Sequence, residues 1–520
     1  MKISQHEYLR LGFYRSAADA ALSEIAAAWA AALLLAIAAY AVALWIAPAA
    51  AALFSRLPSP LRRYAPAAAV LLAAARLAWS VERTDYYRRF ERVTAPPALA
   101  AAAIAVAAAF LLAARAVSRR PWPARRTLLA IAAMALVAFG LRGAIAASFP
   151  RALAGRPNVI LVSLDTVRAD HVGCYGYARP TTPILDALAR ESTLFELAVA
   201  PAPWTLPSHA SMFTSLYPHE HGAAGPSSTL AAERVTIAET LREAGYSTAA
   251  FTGGGYLSSK FGLSQGFDVF ENLYDSPTSA IVSRALAWFD GRPADQPYFL
   301  FVHTYEPHTP YTSATFASLP DAGRVGPSFA EEDLRELRSG QFRPTPAEQR
   351  YIEDLYDGDI HAADAALGPL WDRLRAAGEL DRSLVIVTSD HGEELFERSA
   401  RTSAGHGHSL YEELLRVPLV IRYAKGFPAG MRVATPVSLI DLVPTLAAVT
   451  GVPWPEPRAA LSAGTERCDL AMLVAGGHCG NRHGVLSEAM RWGKASRSFR
   501  TARYMYIRPV GAGASPAELY

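Results

Sequence analysis

Hydrophobic positions follow two different patterns along the chain. Over the first 150 residues they run together: 25–47, 64–80, 96–117 and 127–148 are almost unbroken Ala, Leu, Val and Ile. A helix needs about 20 apolar residues to cross a bilayer, and the first, third and fourth stretches reach that length. The second is shorter and holds Arg76, which suits an interfacial or re-entrant segment. Arg142 lies inside the fourth, where its aliphatic stem lets the charge reach an interface. A soluble bundle buries an apolar stripe rather than a whole apolar circumference, so a membrane region of about four helices is expected over 1–150. The first stretch starts too far into the chain, and is too long, for the apolar part of a cleaved leader. Arg-bearing loops at 56–63, 81–94 and 118–126 nearly balance the positive-inside count. The reading adopted puts the C-terminal part outside the cytoplasm, periplasmic or extracellular.

After a linker at 148–158 the period changes. "NVILVSLD" (158–165), "STAAFTGG" (247–254), "YFLFVHTY" (298–305) and "SLVIVTSD" (383–390) are short apolar runs that predict buried strands. Amphipathic stretches at 182–190, 234–244, 278–290 and 347–377 predict helices between them. Strands alternating with helices imply an α/β sandwich around a mostly parallel sheet. Such sheets bind ligands at the C-terminal ends of their strands.

The charge balance changes little. The net charge is +3, carried mostly by Arg, and gives no case for nucleic acid. Cys174, Cys468 and Cys479 form no CxxC pair, which excludes a zinc ribbon. Cys468 and Cys479 are close enough for a disulfide in an oxidising compartment, and two free thiols fit the spacing equally well.

The strand ends carry the chemistry. Asp165 tips the first strand, and Asp390 with His391 tips the fourth. A lone Asp after a strand is an ordinary turn former. Two acidic tips with an adjacent His favour a metal site instead. In "PAPWTLPSHASMFTSLYPHEHG" (201–222), Pro207 suits the first residue of a helix, which puts Thr205 just before it. Unpaired backbone N–H groups and the positive dipole end collect there and favour a bound oxyanion. By itself Thr205 is equally well an N-cap.

Six stretches in order resemble the successive signatures of the sulfatase family, within the alkaline phosphatase superfamily. They are "NVILVSLDTVRADHVGCYGY", "PAPWTLPSHASMFTSLYPHEHG", "FVHTYEPHTPY", "VIVTSDHGEEL", "GHGHSLYEELLRVPLVIR" and "VSLIDLVPTLAAVTGVP". The resemblance covers about 157–455. It implies the superfamily's α/β/α sandwich and a metal-dependent hydrolase or transferase of sulfate or phosphate esters. It also implies a smaller C-terminal subdomain at 456–520, incomplete after "SPAELY". Carried over by position, Asp165, Asp390 and His391 match metal ligands and Thr205 matches the nucleophile. His308 matches a substrate-contacting His, and His406 a His of the late active-site loop. His408 stands where many relatives have a Lys that binds the oxyanion, and His209 where the CxPxR motif has its Arg.

The departures shape the expected chemistry. Formylglycine sulfatases make their nucleophile from Cys or Ser, and Thr205 suits neither route. The motif's Arg is absent, as is the Lys-x-His pair expected within "GYSTAAFTGGGY" (245–256). Thr nucleophiles occur among phosphate-handling relatives, including membrane-anchored phosphoglycerol and phosphoethanolamine transferases. The expectation is therefore a membrane-anchored enzyme acting on phosphate esters, with sulfate esters second. A sulfatase working without formylglycine and an inactive sulfatase-like binding domain are the alternatives. The substrate expected from location is a lipid head group or envelope glycan. His391, where calcium-binding relatives have Asn, favours one zinc or manganese ion over calcium or magnesium. Thr166 after Asp165 points the same way. A second metal would need Asp359, His361, His406 and His408, whose spacing matches poorly. Glu393 and Glu394 read as second-layer partners or a solvated helix start. His219 and His221 read as structural, Asp364 and Asp441 as caps, and Ser208 as a reserve nucleophile.

Overall fold

The computed structural model describes residues 155–318, 324–398, 404–454, 467–480, 482–489, 495–510 and 516–520. The four apolar runs expected in a membrane lie outside these residues. Among the described residues no helix is long and apolar enough to cross a membrane.

Eight strands form the main sheet: β1 (Asn158–Leu164), β2 (Thr193–Phe195), β3 (Ser247–Thr252), β4 (Val269–Asn272), β5 (Tyr298–His303), β6 (Ser383–Ser389), β7 (Leu419–Arg422) and β8 (Arg432–Val433). Their order is β8-β2-β7-β6-β1-β5-β3-β4. The run β6-β1-β5-β3-β4 is parallel, and β7 is antiparallel to both β6 and β2. All four strands expected from the apolar runs are present, and they are the buried middle of the sheet. Each is β-branched or aromatic on both faces, as a strand covered on both sides requires.

Alternation along each strand feeds two cores. Val159 and Leu161 of β1, Phe299 and Phe301 of β5 and Leu384 and Ile386 of β6 pack on one face. Ile160 and Val162, Leu300 and Val302, Val385 and Val387 pack on the other. The first face is covered by α2 (Thr205–Thr214) and α3 (Ile237–Glu243), the second by α1 (Pro183–Arg190), α4 (Thr278–Gly291) and α5 (Pro346–Ala376). The expected helices are thus observed within a few residues of their predicted ends.

A second, antiparallel sheet is built from Val485–Ala489, Ser496–Arg500, Met505–Pro509 and Glu518–Leu519. It is tied to the segment leading into α2 by the backbone bond from Glu488 N–H to the Pro201 carbonyl and by Ser487, whose hydroxyl donates to the Ala200 carbonyl. Cys468 and Cys479 form a disulfide, and Cys174 is a free thiol.

Candidate active site at the strand tips

Register decides which residues meet. Leu164 of β1 pairs with Ser389 of β6, and Ser163 pairs with His303 of β5. The next residues out, Asp165 and Asp390, therefore leave the sheet side by side, with His303 beside them. The chain turns sharply at Thr166, whose φ of 58° is left-handed. That conformation strains a β-branched residue by roughly 1–3 kcal/mol and marks functional sites when its surroundings enforce it. Here Tyr356 enforces it, donating its hydroxyl to the Thr166 carbonyl at 2.7 Å and accepting from Arg168 N–H at 3.1 Å.

The ligand atoms of Asp165, Asp390 and His391 all lie within 4.8 Å of one another, and all three residues are buried. His391 Nδ1 donates to the Gly392 carbonyl at 2.9 Å, so Nε2 carries the lone pair. Nε2 faces Asp390 Oδ2 at 3.3 Å and Asp165 Oδ1 at 3.6 Å. Burial, with His406 nearby, pushes His391 down to about 3 and keeps its ring neutral. Gly392 makes this turn possible: a Cβ there would stand 2.0 Å from the Glu413 carbonyl.

Both oxygens of Asp165 and Oδ2 of Asp390 are buried without a hydrogen-bond partner. Burial and the charge of Asp165 drive Asp390 well above the usual carboxylate range. Burial also opposes ionisation of Asp165, but His303, His308 and His391 outweigh it and hold that carboxyl below its ordinary value. Orphaned acceptors, a pair of carboxylates that cannot both ionise unaided and a neutral imidazole lone pair together fit a divalent cation.

Thr205 is the first residue of α2, not the residue before it: Trp204 is the N-cap and Pro207 the third helical residue. Proline is tolerated throughout the first turn, so it signals the turn without fixing the start. Having no N–H, Pro207 leaves the amides of Thr205 and Leu206 as the outward donors of this turn. Thr205 Oγ1 lies 3.4 Å from His391 Nε2, among the same ligand atoms. Ser208, the reserve nucleophile, is fully buried and donates to the Asp390 carbonyl at 2.6 Å, which makes it a brace for the metal-site turn.

The remaining expected residues separate into those near this centre and those away from it. His308 stacks on Tyr305 with ring centres 4.7 Å apart, and its Nδ1 donates to the Thr309 carbonyl at 2.7 Å. Burial works against its charge, but Asp165, Glu331 and Glu393 outweigh it and raise His308. His406 stands with its ring centre 4.5 Å from that of His391 and 5.0 Å from that of His308. His408 is half-buried, and its Nε2 is engaged by Glu394 at 2.8 Å. His209, expected against the substrate, is instead fully buried in the protein interior. Its Nδ1 donates to the Thr205 carbonyl at 2.9 Å and its Nε2 accepts from Ser163 at 3.3 Å, so it supports the first turn of α2 from within.

Glu393 and Glu394 are buried and do not start a helix; they face His406 and His408. Asp359 accepts from the amides of Thr312 and Ser313, and His361 bonds the Pro180 carbonyl, so both are tied away from the centre. Asp364 caps α1 through the amides of Ile184 and Leu185, and Asp441 holds Ser438, Cys468 and Arg482. His303 was not foreseen: a His within "YFLFVHTY" reads as one more strand residue. It is fully buried, lies 3.5 Å from Asp165 and sits edge-on to His209.

Residues 157–452, more than half of the chain, match the family model described as Sulfatase. The chain belongs to the sulfatase family. Membership places it with hydrolases of sulfuric and phosphoric esters that use a divalent metal. It is 27% identical over 350 residues to the uncharacterized sulfatase YidJ of Escherichia coli, a stretch covering 58% of this chain and 69% of that protein. It is 25% identical over 396 residues to the N-acetylglucosamine-6-O-sulfatase of Bacteroides thetaiotaomicron, again covering 58% and 69%. The sulfatase-family fold is shared with a phosphonate monoester hydrolase of Agrobacterium radiobacter. There the TM-score is 0.56 at 23% identity, over 70% of this chain and 89% of the other.

Proposed function

We propose that this sulfatase-family chain is a phosphoric ester hydrolase or transferase with Thr205 as its nucleophile. The observation that carries the reading is the Thr205 hydroxyl, 3.4 Å from the lone-pair nitrogen of His391 at the start of a helix. Asp165, Asp390, His391 and Thr205 would hold one divalent cation, zinc or manganese in preference to calcium because imidazole is a ligand. Such a cation supplies positive charge that eases loss of the Thr205 proton and offsets charge on the non-bridging oxygens. Thr205 Oγ attacks the phosphorus. The amides of Thr205 and Leu206 donate hydrogen bonds to the oxyanion as its charge grows. His308 and His406 stand where a proton can reach the leaving oxygen. The apolar runs of the first 150 residues anchor the enzyme in a membrane, and the Cys468–Cys479 disulfide supports an oxidising compartment for the catalytic part. Ester groups of lipid heads or envelope glycans are the substrates in reach of such an enzyme.

Phosphorus is preferred because His209 and His408, at positions of sulfate-gripping cations, are respectively buried and paired with Glu394. Sulfuric ester hydrolysis without formylglycine is the second reading, favoured by the named sulfatase relatives. The full chain in detergent, supplied with zinc or manganese, is assayed on p-nitrophenyl phosphate, bis-p-nitrophenyl phosphate and p-nitrophenyl sulfate beside Thr205→Ala. Phosphoester turnover lost in the variant supports the first reading, and turnover of the sulfate alone supports the second. Silence on all three with no bound metal points to an inactive binding domain.

A further inference from the structure

His303 is the last residue of β5, fully buried between Ser163 of β1 and Thr252 of β3. Its ring lies nearly parallel to that of Phe301 and edge-on to that of His209. Among the described residues neither of its ring nitrogens has a hydrogen-bond partner. The hydroxyls on the neighbouring strands are engaged elsewhere: Ser163 with His209 Nε2 at 3.3 Å, and Thr252 with the side-chain amide of Asn272 at 3.0 Å. An imidazole carries a donor or an acceptor at each nitrogen whichever tautomer it takes, so burying one with both unmade is costly. Nε2 faces Asp165 Oδ2 at 3.5 Å, itself a buried oxygen without a hydrogen bond.

We propose that His303 is a ligand of the divalent cation, the second imidazole beside that of His391. The inference rests on the cation reading of this site. Spacing separates a ligand pair from a hydrogen bond. An N–H···O bond brings its heavy atoms to about 2.7–3.2 Å. Two ligands about 2.1 Å from one ion, at bond angles of about 90–120°, stand about 3.0–3.6 Å apart. His391 Nε2 is 3.3 Å from Asp390 Oδ2, 3.6 Å from Asp165 Oδ1 and 3.4 Å from Thr205 Oγ1. His303 Nε2 stands at the same spacing from the other oxygen of Asp165. Asp390 is common to both sides, with a carboxylate oxygen within 4.8 Å of a ligand atom of His303 as well as of His391. The two carboxylates thus lie between two imidazoles, and Asp165 turns one oxygen to each. His209, the other buried histidine here, is set apart because both of its nitrogens are hydrogen-bonded.

Two imidazoles with two carboxylates favour zinc over calcium or magnesium more strongly than His391 alone does. The cation would tie together the tips of three adjacent strands, β6, β1 and β5.

X-ray absorption counts the imidazoles bound to zinc without reference to activity. The full-length protein in detergent is loaded with one equivalent of zinc and washed, and its zinc spectrum is recorded. Two imidazoles per zinc are expected for the wild type and one for His303→Gln. Zinc affinity in that variant should fall about 100-fold or more, read by competition with a chromophoric chelator. His406→Gln and His308→Gln should each keep two imidazoles, and with the wild type they decide the matter if His303→Gln does not fold. One imidazole in the zinc-loaded wild type overturns the proposal, as does a count that falls in His406→Gln or His308→Gln. Weaker binding in His303→Gln with two imidazoles still on the zinc also overturns it, because His303 would then act on Asp165 from outside the ligand set. A wild type that retains no zinc fails at the earlier point, the cation reading, and takes this inference with it.

Discussion

The hydroxyl of Thr205 lies 3.4 Å from Nε2 of His391, although one belongs to the start of a helix and the other to the turn after a strand. The contact joins the proposed nucleophile to the proposed metal ligands without any side-chain cap on the helix, since Trp204 occupies the cap position.

Thr205→Ala should therefore remove activity and leave the fold intact. A loss of about 10³-fold or more in kcat/KM is expected, with unfolding free energy changed by under about 1 kcal/mol because no cap is lost. Thr205→Ser should retain measurable turnover. Kinetics beside a denaturant titration decide it, and an active Thr205→Ala enzyme would move the nucleophile elsewhere.

Metal removal should loosen the strand tips. Asp165→Ala deletes a carboxylate whose two oxygens have no other partner. Metal retained after dialysis should fall well below one equivalent in this variant. For the wild type, chelation should lower stability by about 3 kcal/mol when the free cation stands near a hundred times its Kd. Thermal melts with and without chelator test this, and identical melts would argue against a resident cation.

Acid should weaken the fold through His221. Its Nδ1 accepts from the Ala223 amide at 3.0 Å, and its Nε2 lies 3.1 Å from the Ser211 hydroxyl. Burial pushes it down to about 3. Between the ordinary histidine value near 6.5 and about 3, the unfolded chain binds a proton that the folded chain refuses. Stability attributable to His221 is thus full above about pH 6.5 and is lost as pH falls toward 3, by on the order of a few kcal/mol. His221→Gln, which cannot ionise, should flatten the melting curve across this window, and an unchanged slope would count against the assignment.

Thiol counting checks the disulfide. Denatured, unreduced protein should show one reactive thiol, Cys174, and reduced protein three. Replacing Cys468 and Cys479 by Ser should cost about 3 kcal/mol, given the short loop they close. Three reactive thiols before reduction would remove this support for an oxidising compartment.

The sequence made the sheet and its acidic tips legible because both are local signals. Apolar runs of strand length end in Asp165 and in Asp390-His391, and a buried strand tip is where an α/β sheet binds. Partners created by packing were not legible. Ionisable residues are normally solvent-facing, so "DHGEEL" leaves Glu393 and Glu394 open between partners of the strand-tip site and a solvated helix start, and names neither His406 nor His408 as what they meet. His209 matched an arginine position, but its ring is taken up by the carbonyl one turn back, a bond visible only once α2 is known to start at Thr205. His303 was hidden for the opposite reason, because a histidine at the end of an aromatic run looks like core.

Thr166, which bonds Asp390 across the strand tips, is 224 residues away from it in the chain. Asp390 and His391 are adjacent, but Asp165 reaches them only when β1 and β6 close side by side. A cation that needs Asp165 beside Asp390 would therefore bind once these two strands have met, and would lock their tips together rather than bring them together.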